Sequence, residues 1–126
     1  IERQFRYPIG RVVTEIPAGK LDAPDEDRLA AAQRELREET GAVAAHWRSL
    51  GLFQPACAYS DETIEMFLAQ GLTFGAQKLD ADEFLQLERV PLDALVQDIL
   101  NGSILDAKTQ TAILKTKLLL ERDGRA

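Results

Sequence analysis

The chain has 126 residues, 45% hydrophobic and 29% charged, enough for one globular domain around one core. A net charge of −6 without a basic stripe excludes a general nucleic-acid binder, and no apolar run approaches the ~20 residues of a membrane span. Cys57 and His46 are the only residues of their types, which excludes an intrachain disulfide and disfavours histidine zinc sites and Ser-His-Asp or Cys-His catalysis.

The chain begins at Ile1, on what reads as a strand already under way, and shows no signal-peptide pattern. The expectation is a single domain over residues 1–126 that lacks its N-terminal strands. Residues 1–8 and Arg11 to Ile16 predict two short strands, the second ended by Pro17. Pro17 to Asp27 is dense in Pro, Gly and Asp and predicts a loop. A helix follows from about Glu26 to Thr40, capped by Asp25 or Asp27 and ended by Gly41. Strands are expected over Trp47 to Phe53, Thr63 to Gln70 and Phe84 to Val90, with a turn at 55–62 and a polar loop from Gln77 to Asp82. Pro91 opens a helix to about Leu100, and a last helix runs from Asp106 to Glu121. Mixed strands and helices with no repeat or linker indicate an α/β layered domain. Trp47, Phe53 and Phe67 read as core, Cys57 as a small turn residue and His46 as a loop residue without a catalytic part.

Gly19 to Ala42 carries the chemistry. In a helix, Glu35 stands one turn from both Glu38 and Glu39, so three carboxylates crowd one face beside the glycine loop. Arg34 is placed to brace Glu26 or Glu38, while Leu29, Ala32 and Leu36 form a separate apolar stripe for packing on a sheet. In open solvent each like-charge pair costs only ~0.2–0.5 kcal/mol, so an acidic surface helix needs no function. In a cleft of effective dielectric near 20, the same pairs repel by ~3 kcal/mol, and hard divalent cations would relieve them. Such cations can hold a diphosphate and activate water.

The surrounding pattern favours the second reading. Arg34-Glu35-Leu36-Arg37-Glu38-Glu39-Thr40-Gly41, with Glu26 before it and Gly19 opening the loop, resembles the box of the Nudix hydrolase family. Two departures are visible. Six residues separate Gly19 from Glu26, one more than the family pattern, so the loop bulges or Asp25 shares the role, and the last aliphatic position is Ala42. Beyond the box, Gln4 to Pro8, Glu15 to Gly19, Ser60-Asp61-Glu62, Asp82-Glu83-Phe84 and Asp106-Ala107-Lys108-Thr109 are similar to the ADP-ribose (ADP-sugar) pyrophosphatase branch. Cys57 stands where that branch commonly has proline, with Pro55 close by.

The resemblance implies an α/β/α sandwich with a mixed sheet and cleavage of a nucleoside diphosphate sugar, ADP-ribose foremost, to AMP and ribose 5-phosphate. GDP-mannose, a dinucleotide, or a non-catalytic nucleotide-binding module are the alternatives. It implies Mg²⁺, or Mn²⁺, held by Glu35, Glu38 and Glu39 with the Ala18 carbonyl, and substrate contacts from Arg6, Arg3 and Gly19. Glu26, Arg34 and Gly41 would support the box, and Glu83, with Asp80 and Asp82 as competitors, would serve the attacking water. It further implies a cytoplasmic homodimer that binds neither nucleic acid nor membrane.

Overall fold

In a computed structural model, residues 1–19, 25–76 and 86–124 are described. Two antiparallel hairpins, one further short strand and three helices are the regular elements of this part of the chain. Strand β1 (Glu2–Arg6) pairs with β2 (Arg11–Glu15) in the register Glu2 to Glu15 and Arg6 to Arg11. Gly10, at φ 67°, supplies the left-handed turn that a two-strand reversal needs, and its N–H donates to the Arg6 carbonyl at 2.9 Å. The other edge of β1 takes a two-residue strand, β5 (Gln86–Leu87), giving the order β2-β1-β5.

The second hairpin joins β3 (Ala42–Phe53) to β4 (Ile64–Phe74), with a bulge between Ser49 and Gly51. Both strands run well past the bounds their sequences suggest. The alanines at 42, 44 and 45 are weak strand formers, but Gly41 turns the chain directly into pairing with 72–74, and the ladder closes around them. His46 therefore lies on β3, paired with Gln70 of β4, and is not in a loop. Of the strand expected over Phe84 to Val90, Gln86 and Leu87 are in β5, while residues 84 and 85 fall outside the described residues. Every strand pairing among the described residues is antiparallel, in two sheets, where the family resemblance implies a mixed one.

Helix α1 (Arg28–Thr40) packs on the β3–β4 hairpin, and α3 (Ala107–Arg122) packs on the same hairpin, on β2 and on α2 (Leu92–Leu100). This is the α/β layering expected of the sequence. Asp27, rather than Asp25, caps α1 by accepting from the Ala30 N–H at 2.9 Å. Pro91 and Asp106 stand at the N-caps of α2 and α3, where the sequence places them. Leu50, Met66 and Ala112 form one core cluster and Leu95, Ile104 and Ile113 a second, and Ile16 packs against both. Phe53 joins the first cluster, whereas Trp47 and Phe67, both half-buried, meet edge-to-face at 6.3 Å outside the two clusters. Ile16 thus ties the end of β2 into the core immediately before the Pro17-Ala18-Gly19 bend.

Candidate active site: a glycine bend against the acidic row of α1

Ala31, Glu35 and Glu39 recur every four residues and lie along one line of α1. Ala31 and Glu39 are its two buried residues, each 6% exposed, whereas Leu29 and Leu36 are only half-buried. The expected division into a packed apolar side and a separate acidic side is therefore corrected: the acidic row is itself covered. At Glu35 the backbone of Gly19, after β2, lies against the row. A Cβ added to Gly19 would fall inside the contact distance of Glu35 Cγ, Cδ and Oε1, so only glycine lets the backbone come this close. Ala18, whose carbonyl is the expected metal contact, is the preceding residue and is exposed.

Arg34 organises the carboxylates. Its Nη1 donates to Glu35 Oε1 at 2.8 Å and reaches Glu38 Oε2 at 3.5 Å, while Nη2 and Nε reach the two oxygens of Glu26 at 3.3 and 3.4 Å. The sequence left Glu26 and Glu38 as alternative partners; Arg34 takes both, and Glu35 as well. Glu26 makes this contact despite the extra residue in the loop, whose positions 20–24 lie outside the described residues. Gly41 ends α1 in the left-handed conformation (φ 74°), and its N–H donates to the Arg37 carbonyl at 2.8 Å. Its own carbonyl accepts from the Gly75 N–H at 2.6 Å, which pins the end of β4 to the end of the box helix. Asp80, Asp82 and Glu83 follow that anchor in sequence and lie outside the described residues.

Arg6 sits on β1 with its Nε and Nη2 on the two oxygens of Glu15, at 2.8 and 3.0 Å. Arg3 is engaged by the Glu88 carboxylate. Glu15 also accepts from Lys108 Nζ at 2.7 Å, and Lys108 donates to Asp106 at 2.9 Å. Hydrogen bonding to Glu15 holds the Arg6 guanidinium above its ordinary pKa. Burial alone would raise Glu15 and Asp106, but hydrogen bonds outweigh it, from Arg6 and Lys108 in the one case and from Thr109 and Lys108 in the other. Both carboxyls are held below the usual carboxylate range. Burial likewise opposes the charge on Lys108, and its bonds to Glu15 and Asp106 keep it above the ordinary lysine value. Sequence reasoning missed parts for Glu15, Lys108 and Thr109. The blocks Glu15 to Gly19 and Asp106 to Thr109 stand out, but nothing in one dimension shows that they meet.

A divalent cation would find oxygen donors of the right chemistry here: the Glu35 carboxylate against the Gly19 backbone, the neighbouring Ala18 carbonyl, and Glu39 in the same row. The space a Cβ of residue 19 would fill is kept for that carboxylate. Among the described residues no three acidic, histidine or cysteine side chains already converge as a ligand set, and Arg34 stands among the carboxylates. The donor set fits a hard cation, with Arg34 as the charge that the cation would have to compete with.

Residues 1–109 match the NUDIX domain. The chain is 38% identical over 113 residues to an ADP-ribose pyrophosphatase of Bacillus subtilis, covering 88% of this chain and 60% of that protein. It is 38% identical over 112 residues to a methanol dehydrogenase activator of Bacillus methanolicus, covering 87% and 60% respectively. A crystal structure of an ADP compounds hydrolase superposes with a TM-score of 0.86 at 27% identity, over 99% of this chain and 67% of that one. The chain belongs to the Nudix family, whose members generally use divalent metal ions. It spans about 60% of the length of the curated relatives it matches.

Proposed function

We propose that this domain hydrolyses the pyrophosphate bond of a nucleoside diphosphate sugar, ADP-ribose foremost, giving AMP and ribose 5-phosphate. The observation that carries the reading is the close approach of the Gly19 backbone to Glu35, which brings the segment after β2 against the acidic row of α1. Relatives named for ADP-ribose and ADP compounds support the substrate class. Glu35, Glu38 and Glu39, with the Ala18 carbonyl, would hold Mg²⁺, or Mn²⁺ in its place. When bound, the cation supplies charge neutralisation to the diphosphate and acidity to a water.

The chain's own residues do the rest. Arg6, held on Glu15 and half exposed, offers its remaining N–H donors to a phosphate oxygen. Arg3 is a second phosphate or ribose contact, reached by exchanging Glu88 for substrate. Glu83 accepts the proton of the attacking water, with Asp80 and Asp82 as competitors for that role. Arg34 keeps the carboxylates in register by holding Glu26, Glu35 and Glu38 together.

We further propose a cytoplasmic homodimer. Phe5, Tyr7 and Val12 on the first hairpin are 45–88% exposed, Phe5 packs on the Tyr7 ring and pairs across from Val12, and an exposed apolar surface of this kind suits a partner subunit. The test of the activity is a panel of ADP-ribose, GDP-mannose and dinucleotides incubated with Mg²⁺, with products identified and EDTA as the control. AMP and ribose 5-phosphate, formed with Mg²⁺ and abolished by EDTA, are expected. Binding without turnover of every compound would overturn the enzymatic reading in favour of a nucleotide-binding module.

A further inference from the structure

An arginine serves a bound diphosphate best when its guanidinium is already fixed, because a loose side chain must lose rotamer freedom on binding. One edge of the Arg6 fork is clamped by Glu15, which leaves Nη1 uncommitted to that carboxylate. Glu15 is held in turn by Lys108, at 2.7 Å, and Lys108 by Asp106, at 2.9 Å. Asp106 is the N-cap of α3 and accepts from Thr109 N and Oγ1 at 3.0 and 2.6 Å. Thr109, wholly buried, accepts from the Ile16 N–H at 3.0 Å, two residues before Ala18. The first turn of α3 therefore reaches the site by two routes, through Glu15 to Arg6 and through Ile16 to the bend.

The pairing is sheltered, since the side chains of Lys108 and Glu15 are 17% and 7% exposed, and solvent screening of their charges is weak. Arg6, Glu15, Lys108 and Asp106 alternate in sign and sum to zero. Glu2, buried and paired across from Glu15, adds a further carboxylate, so loss of Lys108 would leave this corner one charge more negative beside the arginine that is to meet an anion.

We propose that Lys108 is a positioning residue for diphosphate hydrolysis: through Glu15 it fixes the Arg6 guanidinium and offsets negative charge at this corner. The inference rests on the reading above, in which Arg6 contacts the substrate phosphates. Its test compares Lys108→Met, Lys108→Gln, Lys108→Arg, Arg6→Ala and the Arg6→Ala/Lys108→Met pair by steady-state kinetics with ADP-ribose and Mg²⁺, by thermal melting, and by the NMR signal of the Arg6 Nε–H. Lys108→Met raises KM about 10-fold, the scale on which outer supporting residues act, with a smaller change in kcat. Lys108→Arg restores most of the loss, and Lys108→Met costs nothing more once Arg6 is gone. The Arg6 Nε–H, slowly exchanging in the unaltered chain, exchanges rapidly in Lys108→Met. Lys108→Gln, which keeps a donor without the charge, carries the same readouts should the methionine variant fail to fold. Full persistence of the Lys108 penalty in the Arg6→Ala background, or an Arg6 signal indifferent to residue 108, would overturn the proposal. If the unaltered chain cleaves no nucleoside diphosphate, the functional reading fails, while the NMR signal still decides whether Lys108 fixes Arg6.

Discussion

Replacing Gly19 by alanine tests the contact on which the active site is built. The new methyl would overlap three atoms of the Glu35 side chain. Ordinary carbon contacts lie near 3.5–4.0 Å, so the carboxylate must retreat by on the order of 1 Å. The obstacle is the far end of a flexible side chain, and Gly19 does not need a positive φ, so the backbone tolerates the change. Folding should then be unaffected or improved by up to about 1 kcal/mol, through lower entropy of the unfolded chain. Catalysis should suffer, because a 1 Å misplacement at a reacting centre costs about 100-fold, or ~2.7 kcal/mol of barrier. The assay is Mg²⁺-dependent AMP release from ADP-ribose beside a thermal melt. In a Glu35→Ala background there is no carboxylate to displace, so Gly19→Ala should cost nothing further. Turnover like that of the unaltered chain in a folded Gly19→Ala protein would refute the argument that the bend and Glu35 form one site.

Three further outcomes follow from the same geometry. Glu39→Gln keeps the shape of a buried side chain but removes its charge, so most turnover, about 10²-fold or more, should be lost with the melting temperature little changed; full activity would remove the box from the mechanism. Gly41→Ala puts a side chain at φ 74° against the Gly75 carbonyl, a backbone group that cannot rotate aside, and should destabilise by about 1–3 kcal/mol. An unchanged melting temperature would contradict the close approach of α1 and β4. Stability should also follow pH through the Arg6–Glu15–Lys108–Asp106 quartet. Glu15 and Asp106 titrate below their unfolded values, so their contribution is present above about pH 4 and is lost as pH falls through the depressed folded values. Lys108 titrates above its unfolded value, so its contribution is complete below about pH 10 and is lost as pH rises through the raised one. Denaturant midpoints across pH check this, and a Glu15→Gln variant with an unaltered acid slope would contradict it.

What could be read along the chain was whatever depends on neighbours in sequence. The α1 helix, an aspartate cap at Asp25 or Asp27 and the Gly41 stop follow from local preferences, and the one-turn spacing of Glu35, Glu38 and Glu39 follows from helical pitch alone. The box pattern around them was legible for the same reason, and the α2 and α3 helices nearly to the residue. Strand ends were not. Alanines 42, 44 and 45 carry little strand preference of their own, and β3 extends over them because β4 supplies a partner and the Gly41–Gly75 hydrogen bond closes the ladder. The burial of Glu39 was also invisible. A carboxylate pattern looks the same in solvent and in a cleft, and only tertiary packing decides between them. Arg6 and Lys108 stand about a hundred residues apart and meet only through Glu15, because β2 and the start of α3 pack side by side. Sequence determined which groups are present and how they are spaced within each element. Tertiary packing decided which of them share a low-dielectric corner, since charge pairing and burial depend on distance in space rather than along the chain.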